Sequence, residues 1–144
     1  MDSHKATKTQ RFDAARLEEL ARIVVDCGYR IHRAYGPGLL ESAYELLLCA
    51  EIESRGIAFR CQVSVPIEHR GRQIDNAFRA DIVIEDCLLV ELKSTETHAP
   101  VHAKQLLTYL RLMKLPLGLL INFGSATYKD GVRRIANDYF AARE

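Results

Sequence analysis

ADIVIEDCLLVELKS, residues 80–94, decides how this chain is read. Its apolar residues fall in two short runs, Ile82 to Ile84 and Leu88 to Val90, separated by Glu85, Asp86 and Cys87. Two strands and a three-residue loop are predicted. With that loop Ile84 pairs with Leu88, and counting back along both strands sets Asp81 opposite Glu91. Because side chains alternate along a strand, Lys93 shares the face of Glu91, while Ile82, Ile84, Leu88, Val90 and Leu92 fill the other. The hairpin is therefore expected to carry an ionic face backed by an apolar one.

Two facing carboxylates repel, so the arrangement favours a cation between them, and oxygen-only ligands select Mg²⁺ or Mn²⁺ over zinc. Such an ion polarises a phosphoryl oxygen and acidifies a water, and a lysine beside it can orient that water or offset developing charge. This is the chemistry of phosphodiester hydrolysis. The residues admit a second reading, as ordinary polar side chains on a wet strand face, paired in surface salt bridges. On the first reading, Asp81→Ala or Glu91→Ala should abolish cleavage and leave the fold stable or even stabilised, because one of two crowded charges is gone.

Outward from the hairpin, Ile57 to Ile67 alternates apolar and polar residues and predicts a strand with one wet face. The HRGRQ turn follows, and residues 74–84 lead into the hairpin. Upstream, Leu17, Leu20, Val24, Cys27, Ile31 and Tyr35 recur at helical spacing and predict an amphipathic helix over residues 14–35. Gly36-Pro37-Gly38 breaks it. Residues 39–54 predict a second helix, apolar around most of its circumference and so expected to be buried. Downstream, residues 101–114 read as a helix ended by Pro116, residues 117–123 (LGLLINF) as an interior strand, and residues 132–141 as a closing helix. Residues 1–13 are polar and aperiodic and read as a tail, leaving residues 14–144 as one domain.

The 144 residues suffice for one hydrophobic core. A net charge of +1 gives no overall field that would pull the chain onto nucleic acid or membrane, although it leaves local patches open. The four cysteines form no CxxC pair and no zinc-finger spacing, and most of them read as buried thiols. No apolar run suits a signal peptide or a membrane span, which makes the cytoplasm the expected address. A dinucleotide-binding fold and a GxSxG hydrolase are set aside, because Gly36 and Gly38 follow a helix and no such elbow occurs.

Several stretches in order, GPGLLESAYE (residues 36–45), FRADIVI, LLVELKS, QLLTYL and GLLINFG, resemble the GxxExxY proteins, which are assigned to the PD-(D/E)XK nuclease superfamily. The likeness runs from about Leu17 to Tyr139. The naming motif falls on Gly38, Glu41 and Tyr44, the superfamily acid on Asp81, its ExK on Glu91 and Lys93, and a RecB-like QxxxY on Gln105 and Tyr109. The resemblance implies an α/β (α+β) restriction-endonuclease-like core with a mixed sheet flanked by helices, a divalent metal (Mg²⁺ or Mn²⁺), and cleavage of DNA or RNA without naming the substrate; DNA is the expected partner.

Read this way, Asp81, Glu91 and Lys93 are the catalytic residues. Glu41 joins Asp81 and Glu91 as a metal ligand or its support, against the plainer reading of an acid favoured at a helix start. Gln105 and Tyr109, at i and i+4, share a helix face and are supporting or substrate-binding residues. Tyr44 reads as packing, and His98 and His102 as surface residues without a third zinc ligand. Arg30, Arg33, Arg70, Arg72, Arg79, Arg133 and Arg134 are phosphate contacts only if they converge. A homodimer would give so small a chain the surface to grip a duplex. The alternative is a catalytically inactive module on the same fold, binding nucleic acid or a protein partner.

Overall fold

The computed structural model describes residues 12–137. Elements follow in the order α1 (Ala14–Tyr35), α2 (Glu41–Ser54), β1 (Phe59–His69), β2 (Arg72–Ile84), β3 (Leu88–Lys93), α3 (Pro100–Met113), β4 (Leu117–Asn122), a single turn α4 (Tyr128–Gly131) and β5 (Val132–Ala136). Among the described residues the strands form one mixed sheet in the order β1-β2-β3-β4-β5. β3 and β4 run parallel and the other neighbours antiparallel. A parallel pair needs a crossover, which α3 supplies. This is the mixed α+β sheet with flanking helices expected from the sequence.

The hairpin register comes out as derived, with Ile84 paired to Leu88 and Ile82 to Val90. Glu85 and Asp86 both adopt left-handed backbone conformations, φ 47° and 53°, which close the turn with a hydrogen bond from Cys87 N to Ile84 O. Arg16 at the start of α1 grips the Glu85 carboxylate from Nε at 3.0 Å, so the turn is docked on α1.

Each face of the sheet has its own apolar layer. Ile82, Ile84, Leu88, Val90 and Leu92 pack with Leu20, Val24 and Ile31 of α1 and Tyr44, Leu48 and Ile52 of α2. Val83, Leu89 and Leu120 pack on the opposite side with Leu106 and Leu110 of α3. The ionic face expected of the hairpin is therefore mostly covered: α3 lies across it, and polar residues are confined to one end of β3.

Four expectations are corrected. Residues 132–136 form a strand where a helix was expected over 132–141, and residues 138–141 lie outside the described residues. The spacing of Val132 and Ile135 imitates a helix, but β4 is buried along its length and its free edge would strand backbone donors and acceptors, which β5 pairs instead. The second helix is not buried all round. It turns Tyr44, Leu48 and Ile52 inward and leaves Leu46 74% exposed, because only one side of it has a sheet to pack on. Tyr35, placed on the apolar face of the first helix, is exposed at the last position of α1, before Gly36 ends it. Finally, the outer half of the β1–β2 hairpin is exposed on both faces rather than one. The tail expected over residues 1–13 lies outside the described residues up to residue 11.

Gly124 sits where the chain leaves β4 and presses on the backbone of Thr95, so an added Cβ would collide with backbone atoms that cannot swing aside. Gly124→Ala is expected to cost about 1–3 kcal/mol and lower the melting temperature by several degrees. An unchanged melting curve would show that this junction gives way easily.

Candidate active site

The site is built where β2 and β3 stop pairing. The ladder ends at Ile82 and Val90, and one residue further the two carboxylates take the place of its hydrogen bonds. Asp81 N donates to Glu91 Oε1 at 2.7 Å, and Leu92 N donates to Asp81 Oδ2 at 2.8 Å. Each acid thus caps a backbone amide on the opposite strand. On the other side, Gln62 and Asp81 drop out of the β1–β2 pairing, and Gln62 takes φ 51°. Its amide Nε2 reaches Glu45 at 2.9 Å and Asp81 Oδ1 at 3.3 Å.

Glu91 is only 8% exposed. Burial first, and the Asp81 charge second, push its carboxyl up to about 8, and a side-chain hydrogen bond between the two acids adds to the shift. A wet-face salt bridge does not look like this: Glu91 is buried beside a second acid, the half-buried Asp81. Lys93 opposes the shift and lies near enough to lower Glu41 as well.

Glu41 is exposed at the first turn of α2, and burial of its carboxyl, then Asp81 and Glu45, raise it against the pull of Lys93. Glu41 therefore shares the electrostatic environment of the hairpin acids. Two hydroxyls hold it there. Tyr44 donates to Gly36 O and accepts from Leu39 N, and Ser94 Oγ donates to Leu39 O at 2.8 Å. Tyr44 is fully buried and stacks on Phe123 with ring centroids 4.3 Å apart. It is a packing residue, as expected, that also fixes the Gly36–Leu39 turn in front of Glu41.

Tyr109 stacks on Phe78 at 4.1 Å, and its phenol is raised by burial and by the charges of Glu91 and Asp81. Gln105, one turn earlier on α3, stays exposed. The structure brings Asp81, Glu91, Lys93, Glu41 and Tyr109 to one end of the sheet and leaves Gln105 at its rim.

Three participants escaped the sequence reading. Gln62 of β1 bridges Asp81 to Glu45 of α2. The spacing of Glu45 four residues after Glu41 was a usable signal; nothing marked Gln62. Asn122, beside Lys93 in register, is fully buried. Its Oδ1 accepts from Thr95 N and Gly124 N, and its Nδ2 has no partner. His98 and His102 are half-buried rather than surface residues, with His98 bonded to Asp130 O and the His102 Nδ1 buried without a partner. Of the arginines, Arg30 pairs with Asp26 and Arg134 with Glu18. Arg70, Arg72 and Arg79 are exposed along the β1–β2 hairpin. Sequence-distant arginines thus do not converge as a set.

The donor set fits a hard divalent cation. Asp81 and Glu91 offer oxygen only, and their mutual repulsion, which helps raise the Glu91 carboxyl, is what a bound cation would relieve. Among the described residues no three His, Cys, Asp or Glu side chains converge as a metal cage. Mg²⁺ commonly takes one or two carboxylates and fills its shell with water and phosphate, so two acids suffice.

The raised Glu91 carboxyl has a stability consequence. The fold holds this proton more tightly than the unfolded chain, so the stabilisation is full below about 4.5 and is lost as pH rises through about 8. From pH 6 to 9 the metal-free protein should lose roughly 2–3 kcal/mol, seen as a falling melting temperature. In Glu91→Gln the slope should flatten. Equal slopes in both proteins would place the proton elsewhere.

Among comparisons with known proteins, no curated sequence and no solved structure matches the chain. No helix among the described residues is long and apolar enough to cross a membrane. The family model of the PD-(D/E)XK nuclease superfamily matches residues 18–135. That span carries the paired acids of the broken ladder and the lysine after them, and the chain belongs to the PD-(D/E)XK nuclease superfamily.

Proposed function

We propose that this chain is a divalent-metal-dependent phosphodiesterase acting on nucleic acid, with DNA the first substrate to test, and that Asp81, Glu91 and Lys93 are its catalytic residues. The observation that carries the reading is the interlocked pair: Asp81 and Glu91 cap each other's strands, and burial beside the Asp81 charge raises the Glu91 carboxyl, the setting that a cation would relieve.

Mg²⁺ or Mn²⁺ bound by these acids would polarise a phosphate oxygen and acidify a water. The chain's own residues do the rest. Asp81 and Glu91 are held by backbone donors, so their oxygens need no reorganisation to take a ligand. Lys93 supplies the positive charge next to them and orients the attacking water or offsets charge on the phosphate. Glu41, fixed by the Tyr44 turn, supports the same centre. The unpartnered Nδ2 of Asn122, next to Lys93, is a donor for a phosphate oxygen. Tyr109 and the more exposed Gln105 line the approach, and Arg70, Arg72 and Arg79 offer cations to the nucleic-acid backbone. Within the superfamily, the placement of Gly38, Glu41 and Tyr44 supports membership of the GxxExxY group, with residues 14–144 acting as one domain.

A second reading, a nuclease fold that binds nucleic acid or a protein without cutting, is favoured by the lack of a third converging ligand among the described residues. Incubation of the purified chain with linear, circular, single-stranded and branched DNA and with RNA, in Mg²⁺ or Mn²⁺ and in EDTA, separates the two. Metal-dependent cutting of at least one substrate is expected. Binding without cutting of any substrate would leave the module.

A further inference from the structure

Two thiols meet beside the site. Cys49 lies on α2 one turn after Glu45, and Cys61 lies on β1 next to Gln62. Their Sγ atoms are 2.9 Å apart, a contact between two different elements that is closer than unbonded sulfurs ordinarily approach. Cys61 is exposed and Cys49 half-buried, so a small oxidant meets Cys61 first with a second sulfur already behind it. Burial, and then the neighbouring Cys61, push the Cys49 thiol up. The other two cysteines have no such neighbour: Cys27 is buried in the core, and Cys87 points at Ile84 O.

We propose that Cys49 and Cys61 are a redox-responsive pair, which a peroxide converts to a disulfide that ties α2 to the edge strand β1. The Cys61 sulfur attacks one peroxide oxygen. An S–O bond forms, the O–O bond breaks, and the departing hydroxide takes the Cys61 proton and leaves as water. The Cys49 sulfur then attacks the resulting sulfenic acid. The S–S bond forms, the S–O bond breaks, and the hydroxyl leaves with the Cys49 proton as a second water. Each sulfur is oxidised by one electron and the two peroxide oxygens are reduced. A dithiol reductant reverses the step.

Closing from 2.9 Å to a disulfide length of about 2.05 Å needs less movement than one rotamer change. The consequence reaches the site because Gln62, the residue after Cys61, donates to Glu45, one turn before Cys49, and to Asp81. Those contacts hang on side-chain hydrogen bonds in the reduced protein. In the oxidised protein a covalent bond holds the same two segments together. The proposal concerns the thiols alone and stands whether or not the chain cuts nucleic acid.

The test treats the full-length chain with a small excess of hydrogen peroxide, blocks remaining thiols with iodoacetamide after denaturation, and maps peptides by mass spectrometry without reduction. The expected product is a monomer lighter by two hydrogens, with a peptide pair joining Cys49 to Cys61 and with Cys27 and Cys87 alkylated. Dithiothreitol should reverse it. The melting temperature of the oxidised form should rise by a few degrees. Cys61→Ser, at an exposed position, should melt like the reduced protein and lose no hydrogens. A sulfinic acid on Cys61 without a cross-link, dimers linked through Cys61, or any other pairing would overturn the proposal.

Discussion

Glu91→Gln should lose metal-dependent cleavage by about 10³-fold or more and still fold. Glutamine keeps an oxygen that accepts from Asp81 N, so the broken ladder stays capped, while the charge that would hold a cation is gone. Asp81→Asn should behave alike, its side-chain oxygen accepting from Leu92 N. The sequence alone led to the expectation that alanine at either position would be neutral or stabilising. The structure changes that expectation. In Glu91→Ala the amide of Asp81 is left half-buried without a partner, at a cost of about 1–3 kcal/mol that works against the relief of repulsion. The amide variants are therefore the clean test: activity lost, melting temperature kept or raised at pH 8. If Glu91→Gln cleaves at the wild-type rate, the pair is structural.

The second large effect falls on Tyr44. Tyr44→Ala removes a fully buried ring that stacks on Phe123 at 4.3 Å, and truncations of this kind cost about 3–5 kcal/mol. In a small domain this is a large part of the total stability, so the variant should melt far below the wild type or fail to fold. Tyr44→Phe separates packing from positioning. The stack remains, but the hydroxyl no longer joins Gly36 O and Leu39 N, which releases the turn before Glu41. A loss of about 1–2 kcal/mol is expected, together with cleavage reduced beyond what the lower stability explains. Tyr44→Phe that matched wild-type activity while still melting lower would reduce the hydroxyl to a structural role.

How far the sequence reaches depends on the range of the interaction. The β2–β3 register is legible because a short loop and period-two alternation determine it locally, and residue order is enough to set Asp81 across from Glu91. What the register could not show is that the ladder opens there, since that depends on Gln62 leaving the β1–β2 pairing from the other side. Nor could it show that α3 covers the face of Glu91, turning a wet carboxylate into one that is 8% exposed. β5 was misread for a related reason. Val132, Arg133, Arg134 and Ile135 carry no strand signature of their own, and only the buried edge of β4 makes a strand of them. Asn122 became visible only through a partner distant in sequence, Thr95, and Glu45, though marked by its spacing from Glu41, gained its part only through Gln62.

Everything proposed for the site turns on whether Asp81 and Glu91 hold a proton that a divalent cation replaces. Calorimetric titration of the chain with Mn²⁺ at pH 7, in two buffers of different ionisation enthalpy, measures binding and proton release together. Binding with release of about one proton per ion is expected, with loss of both in Glu91→Gln. Absence of binding, or binding with no proton released and unchanged in Glu91→Gln, would contradict the exchange of proton for metal at this pair.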